Sequence, residues 1–243
     1  MASTFLTAEW RKLIMAQYVV EPATLVPWLP AGLELDLFQN RCYVSLVGFL
    51  FDNTRLKGLR IPFHTRFEEV NLRFYVRRTE ADGTRKRGVV FIREFVPRAA
   101  ITLIASTLYE EPYATLPTRS SIIKTPEELS VRYDWRHGKV WQSLAVEASP
   151  IAQPIAAGSE EAFLTEHYWG YTKRRGSGGK TGSTSEYEVH HPRWQIYPVL
   201  RHEIIADFAA LYGPAFAALN HQQPASVLLA EGSAVSVHSG TRL

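Results

Sequence analysis

Two consecutive strand patterns constrain this chain more than any other feature: Phe67 to Arg77 and Gly88 to Val96, joined by the turn Ala81-Asp82-Gly83-Thr84. In the first, Val70, Leu72, Phe74 and Val76 alternate with Glu69, Asn71, Arg73, Tyr75 and Arg77, the two-residue period of a strand with one apolar and one polar face. The second is apolar on both faces except for the adjacent pair Arg93-Glu94, which places it in the interior of a sheet or barrel, where charges need partners. Asp82-Gly83 is a common hairpin turn pair, and Pro97 ends the second strand because it has no N–H for the ladder. Such a ribbon brings Glu69, Arg73 and Arg93 near one another.

The flanking sequence reads as more β-structure with short helices. Leu13 to Val20 is an apolar run suited to a buried strand, and Pro22 to Val26 starts a short helix with proline where its missing N–H does no harm. Leu33 to Phe38 and Cys42 to Phe51 predict a hairpin across Gln39-Asn40-Arg41, followed by a loop from Asn53 to Phe63. Arg98 to Leu108 has helical spacing, and Leu129 to Trp135 with Lys139 to Glu147 form a third hairpin. Further on, Ser159 before Glu160-Glu161 is a helix start, because a hydroxyl and carboxylates suit the unpaired N–H groups of a first turn. Lys173 to Ser185 is a Gly/Ser/Lys loop, exposed and mobile. Tyr187 to His191 and Arg193 to Val199 resume strand character, Asp207 to Gly213 is a helix closed by glycine, and Ala225 to Ala230 with Ser233 to His238 predict a closing hairpin over Glu231-Gly232. No internal repeat, heptad or linker divides the chain, so residues 1–243 read as one domain.

Composition excludes several classes. With 46% hydrophobic and 12% aromatic residues the chain can bury a sizeable core. Its net charge of +3 comes from scattered arginines, whereas nucleic-acid binding needs clustered Lys and Arg. The lone cysteine, Cys42, can form no internal disulfide, which favours a cytoplasmic setting. No apolar run spans a bilayer, and the N-terminus lacks the pattern of a secretion signal. Adjacent His190-His191 would point to opposite faces of a strand, and no HExxH or paired CxxC occurs, so no metal is expected. No nucleophile elbow, Walker loop or dinucleotide fingerprint is present, and no cofactor is called for. Association into a homo-oligomer stays open.

The segments Leu6 to Arg11, Tyr43 to Phe49, Phe67 to Arg73, Glu166 to Tyr171 and Leu229 to Ser233 resemble the YqjF-like family of uncharacterised proteins, over nearly the whole chain. That family is in turn similar, more distantly, to the acetoacetate decarboxylases. The resemblance implies a mainly β (α+β) fold: an antiparallel β-barrel with a few short peripheral helices around an apolar pocket. Those decarboxylases carry a Schiff-base lysine after a proline, with a second lysine that depresses its pKa, because a protonated amine cannot attack a ketone. Here the corresponding stretch is Pro112-Tyr113-Ala114, without the nucleophile. Glu69 matches the family's pocket acid and Arg11 its substrate-carboxylate arginine.

The candidate site residues follow, each with a bland alternative. Glu69 and Tyr113 are the catalytic candidates; a solvated strand residue and a packed aromatic would look the same. Arg11, Arg73 and Arg93 are candidate anion clamps, although a structural salt bridge from Arg93 to Glu94 or Glu69 is as good a reading. His167 could be a general base, a metal ligand, a lid residue or a wall of the core, and Trp169 with Tyr171 would stand at the barrel mouth. Three functions are compatible with this: an enzyme acting on a carbonyl or carboxylate compound without a Schiff-base lysine, a non-catalytic binder of a small ligand, or an interaction protein presenting the aromatic segment.

Overall fold

The computed structural model describes residues 3–98, 112–173 and 183–243. Among them the strands in chain order are β1 (Thr4–Val19), β2 (Glu34–Leu35), β3 (Tyr43–Leu56), β4 (Phe67–Thr79), β5 (Arg85–Val96), β6 (Tyr113–Thr115), β7 (Thr118–Lys124) and β8 (Leu129–His137). They continue as β9 (Val140–Ala148), β10 (Gln153–Pro154), β11 (Trp169–Lys173), β12 (Thr184–His190), β13 (Gln195–Tyr197), β14 (Val199–Ile205), β15 (Ser226–His238) and β16 (Thr241–Arg242). Among the described residues three short α-helices, α1 (Pro22–Leu25), α2 (Glu160–Thr165) and α3 (Phe208–Tyr212), lie at the periphery. No helix among the described residues is long and apolar enough to cross a membrane.

The larger sheet is ring-like. Strands β15, β1, β3, β4, β5, β11 and β12 are hydrogen-bonded neighbours in that order, and β12 returns to β15 through the pairs Val189–Val237 and His190–Ser236. Nearly all pairings are antiparallel; β5 with β11 and β5 with β6 are parallel. A second sheet, in the order β14-β9-β8-β7, packs on the outside of the ring. The layers approach closely at Gly48, where an added Cβ would sit 3.0 Å from the Tyr133 ring.

The alternation along β4 produces two separate interiors. Val70, Leu72, Phe74 and Val76 face the second sheet and pack with Val131, Tyr133, Trp135 and Leu144. Glu69, Asn71, Arg73 and Tyr75 face the inside of the ring, and all four are buried. A polar face normally turns to solvent in an open antiparallel sheet. Closure of the ring encloses it here, which separates the pocket reading of Glu69 from the solvated one.

Local rules account for the element ends. The β4–β5 hairpin is closed by Glu80 N–H to the Thr84 carbonyl at 2.9 Å, and Gly83 takes φ of 85° in the turn. Ser159 Oγ accepts the Ala162 N–H at 3.2 Å to cap α2, and Asp207 Oδ1 accepts the Ala210 N–H at 3.1 Å to cap α3. The β8–β9 hairpin also forms as its sequence predicts.

Other expectations are corrected. The segment at 33–38 does not pair with β3: only Phe38 and Arg41 bridge, and β2 pairs instead with β4 through Glu34–Arg77 and Leu35–Val76. The proposed closing hairpin is one continuous strand, β15, because Glu231-Gly232 lies opposite Lys12 and Arg11 inside a distorted stretch rather than at a turn. β1 begins nine residues earlier than Leu13, and β3 runs on to Leu56 through the expected start of a loop. The predicted helix from Arg98 to Leu108 falls outside the described residues except for Arg98, as does most of the loop predicted from Lys173 to Ser185.

Candidate functional site

Every strand of the ring contributes to one internal cavity of about 160 Å³. Its walls are apolar, with Phe49 and Phe51 from β3, Phe67 from β4, Phe91 from β5 and Tyr187 from β12. Its polar groups come mostly from one side: Glu69, Asn71 and Arg73 on β4, Glu94 on β5 and Tyr113 on β6, with His167 added from the segment before β11. The order of strands explains the grouping, since Glu94 pairs with Asn71 across β4–β5 and with Tyr113 across β5–β6.

Glu69 is the centre of this cluster. It is 2% exposed, its Oε1 accepts a hydrogen bond from Asn71 Nδ2 at 2.9 Å, and its Oε2 accepts one from the Tyr113 hydroxyl at 3.2 Å. Glu94 shares a hydrogen bond with it. Two carboxyl groups in such contact hold a proton between them, because like charges at this separation cannot both ionise without large cost. Burial pushes the Glu69 carboxyl above the ordinary glutamate range, and the Asn71, Glu94 and Tyr113 hydrogen bonds and the Arg73 charge only partly oppose it. Arg73, itself buried, is the cation within the cavity wall; it donates to the Met15 Sδ at 3.9 Å, a weak partner, and shares a hydrogen bond with Tyr75.

Arg93 is not part of the site. Strict alternation from Val89 and Phe91 would aim it inward, but the β4–β5 register shifts: Leu72 pairs with Arg93 while Arg73 pairs with Phe91, leaving Ile92 as an extra residue. A β-bulge of this kind reverses the facing of everything beyond it. Glu94 therefore enters the cavity, and Arg93 goes to the opposite face, exposed, donating to the Leu211 carbonyl at 2.9 Å. Replacing Arg73 with Met is accordingly expected to raise the Glu69 titration further, whereas Arg93→Met leaves it unmoved. ¹³C NMR of the Glu69 side-chain carboxyl measures both.

Arg11 is also placed elsewhere. It lies on the face of β1 opposite Trp10, which does border the cavity, and it pairs with Glu9 at 2.6 Å and Glu231 at 3.6 Å. Among the described residues no lysine borders the cavity. Lys12, in the apolar reach of β1, instead bonds Glu231 and donates to the Tyr197 hydroxyl at 3.1 Å.

His167 does reach the cavity. Its ring packs on Tyr75 and Phe163 with centroid separations of 4.8 and 5.1 Å, and its Nε2 is 3.1 Å from Asp36 Oδ2, which also accepts from Arg87 Nε at 2.7 Å. Burial, opposed chiefly by that Asp36 hydrogen bond, lowers its pKa to about 4. Trp169 borders the cavity on one side and, on the other, an outer groove bounded by Glu9, His190 and Ser236; Lys86 Nζ sits 4.0 Å from its ring centroid. Tyr171 is buried in the outer core and does not reach the cavity.

Asn71 and Glu94 in the cavity, and Asp36 behind His167 and outside it, are not singled out by the sequence or its resemblances. For Glu94 a signal existed, the carboxylate inside an apolar strand. Among the described residues no group of three or more His, Cys, Asp or Glu is arranged to hold a metal ion. A buried proton-sharing carboxyl pair, a phenol and a guanidinium around an apolar hollow can hold a small carboxylate or carbonyl compound and move a proton on it.

Comparison with known proteins agrees with this architecture. The model of the family DUF2071, an uncharacterized conserved protein, matches residues 7–234. The uncharacterized protein YqjF of Bacillus subtilis is 27% identical over 193 residues, covering 77% of this chain and 73% of that protein. Among solved structures, the acetoacetate decarboxylase of Legionella pneumophila is similar with a TM-score of 0.66 at 13% identity, over 100% of this chain and 88% of that one. The enduracididine biosynthesis enzyme MppR, solved in complex with pyruvate, is similar with a TM-score of 0.65 at 13% identity, over 100% of this chain and 91% of that one. The fold is thus mostly β and acetoacetate decarboxylase-like, with a ring-shaped sheet approximating a barrel.

Proposed function

The chain belongs to the DUF2071 family of uncharacterized conserved proteins, and from that premise we propose that it is a small-molecule enzyme acting on a carbonyl or carboxylate compound inside the ring, with no lysine amine in its chemistry. The observation that carries this is the Glu69–Glu94 pair, buried beside Arg73 and Tyr113 in an otherwise apolar cavity. A carboxyl group whose titration is shifted by burial and by a specific partner inside a pocket is a candidate proton-transfer group. The pyruvate complex of MppR supports a small oxo-acid as the kind of guest that this architecture takes.

In this reading Arg73 holds the substrate carboxylate, a contact that a guanidinium makes with two parallel N–H donors. Glu69 in its ionised form takes a proton from the carbon next to the carbonyl. The C–H electron pair moves toward the carbonyl oxygen, which becomes the enolate oxygen and is met by the Tyr113 hydroxyl. Glu69, now protonated, returns the proton to carbon or oxygen. Glu94 keeps a proton available to the pair, and Trp169 covers the guest. The same proposal places the protein in the cytoplasm, acting as one domain without a resident metal or cofactor.

The test uses pyruvate as the probe. In D₂O the wild-type protein is expected to exchange the pyruvate methyl protons well above the protein-free rate, read by ¹H NMR. Treatment with pyruvate and borohydride is expected to leave the protein mass unchanged. Added mass at a lysine would overturn the amine-free chemistry, and binding without exchange would overturn catalysis and leave a carrier of small acids.

A further inference from the structure

The cavity holds a second polar end, built on His167, that the chemistry above does not use. Asp36 lies against Arg87 and has its carboxyl below the usual range, through the His167 and Arg87 hydrogen bonds and the Arg87 charge, which outweigh its own burial. An ionised carboxylate can only accept, so the His167 Nε2 that faces it carries the hydrogen. The ring is neutral, so Nδ1 carries a bare lone pair. That atom is buried and has no hydrogen-bond partner, and His167 borders the cavity whereas Asp36 and Arg87 do not. Leaving a buried acceptor unsatisfied is costly, and such atoms are few in folded proteins.

Arg73 lies between the two ends. Its charge acts on Glu69 and on His167, and its own Nε is a second buried atom without a partner. A guest that satisfies both orphans must offer an acceptor to Arg73 and a donor to His167. The remaining space is walled by phenylalanine rings, and about 160 Å³ is close to the roughly 150 Å³ of an apolar protein cavity that admits benzene.

We infer that the natural guest is an oxo acid that also carries a hydroxyl and an apolar portion about the size of one ring, its carboxylate on Arg73 and its hydroxyl donating to Nδ1 of His167. This rests on the reading of Arg73 given above and adds the hydroxyl and its acceptor. It makes His167 a specificity-determining residue, oriented by Asp36, in a site that selects a hydroxy acid over the matching acid with hydrogen in its place. The charged groups facing His167 are Asp36, Arg87 and Arg73.

Three probes separate the outcomes: mandelate in both enantiomers, phenylacetate, which lacks the hydroxyl, and benzyl alcohol, which lacks the carboxylate. Calorimetry on the wild-type protein is expected to show one enantiomer of mandelate binding about tenfold or more tighter than phenylacetate, with benzyl alcohol weaker than either. The ¹⁵N resonance of the unprotonated His167 nitrogen is expected to move on adding mandelate and to stay with phenylacetate. His167→Phe, which keeps a ring between Tyr75 and Phe163, is expected to reduce the mandelate preference to about onefold. Should that variant fail to fold, the two wild-type measurements decide alone. Equal affinities with an unmoved ¹⁵N signal, while Arg73→Met abolishes both acids, would overturn the role of His167 and leave the carboxylate site standing. Failure of both acids to bind, or binding indifferent to Arg73→Met, would overturn both readings.

Discussion

Replacing Gly232 with alanine is expected to cost about 3–5 kcal/mol and to lower Tm by roughly 10 °C, a large effect for one methyl group. Gly232 sits in the middle of β15 with φ of 79°, opposite Arg11 of β1. An added Cβ would lie 1.9 Å from the Trp10 carbonyl oxygen and 2.9 Å from Leu13 Cδ1. Lys12 beside it also takes a positive φ, of 54°, and β1 gains one residue relative to β3 between Arg11 and Ile14. The second sheet holds this bulge, through the Tyr133 hydroxyl donating to the Lys12 carbonyl at 2.9 Å. Backbone cannot yield as a flexible side chain can, so alanine must separate β1 from β15. Gly83→Ala is the control: φ is 85° but nothing lies within 4 Å of the new methyl, so only the conformational strain of about 1 kcal/mol applies. Thermal unfolding of the two variants measures the difference, and equal losses would mean that steric contact at Gly232 is absorbed without moving the ladder.

The same stretch shows where the sequence stops being readable. Glu231-Gly232 between two apolar runs has the composition of a turn, and a chain read locally folds there into a hairpin. The strand continues because β1 brings its own irregularity to the same level. Such a match between two strands more than 200 residues apart leaves no local trace. The bulge at Ile92 is hidden for the same reason: Val89 to Val96 is apolar on both faces, so no alternation records the residue at which facing reverses. Alternation alone therefore aims Arg93 inward, whereas the bulge puts Glu94 there.

What was legible depended on period and on turn chemistry. β4 carries a clean alternation, and its two faces meet two different interiors. The caps at Ser159 and Asp207 were visible because the hydroxyl and carboxylate act within three residues. The alternation puts Glu69 and Arg73 on one face of one strand, while the pocket reading of Glu69 and the place of Tyr113 come mainly through the resemblance. Asp36 carries no local signal, since the histidine it contacts lies 131 residues away.

Exchanging Glu69 for Gln is expected to reduce proton exchange on pyruvate by about 10²–10⁴-fold, the usual worth of a positioned acid or base, while leaving the fold intact. Glutamine keeps the shape and an acceptor for Asn71 or Tyr113 but cannot take up a proton. Stability gives a second readout with a definite sign. The Glu69 carboxyl is raised by burial above its ordinary value near 4.5. A raised acid favours the folded state fully at pH below the unfolded value, and this contribution is lost as pH climbs through the folded value. Wild type and Glu69→Gln should therefore match near pH 4, and the variant should become the more stable one as pH rises, by about 1 kcal/mol or more, the scale of a buried charge lacking full compensation. Thermal unfolding at pH 4 and pH 8 reads this directly. A variant that loses activity and gains stability together marks Glu69 as a group kept in the ring for chemistry at the fold's expense. A variant destabilised equally at both pH values would instead make it a structural partner of Asn71 and Tyr113, and the proposed reaction would lose its base.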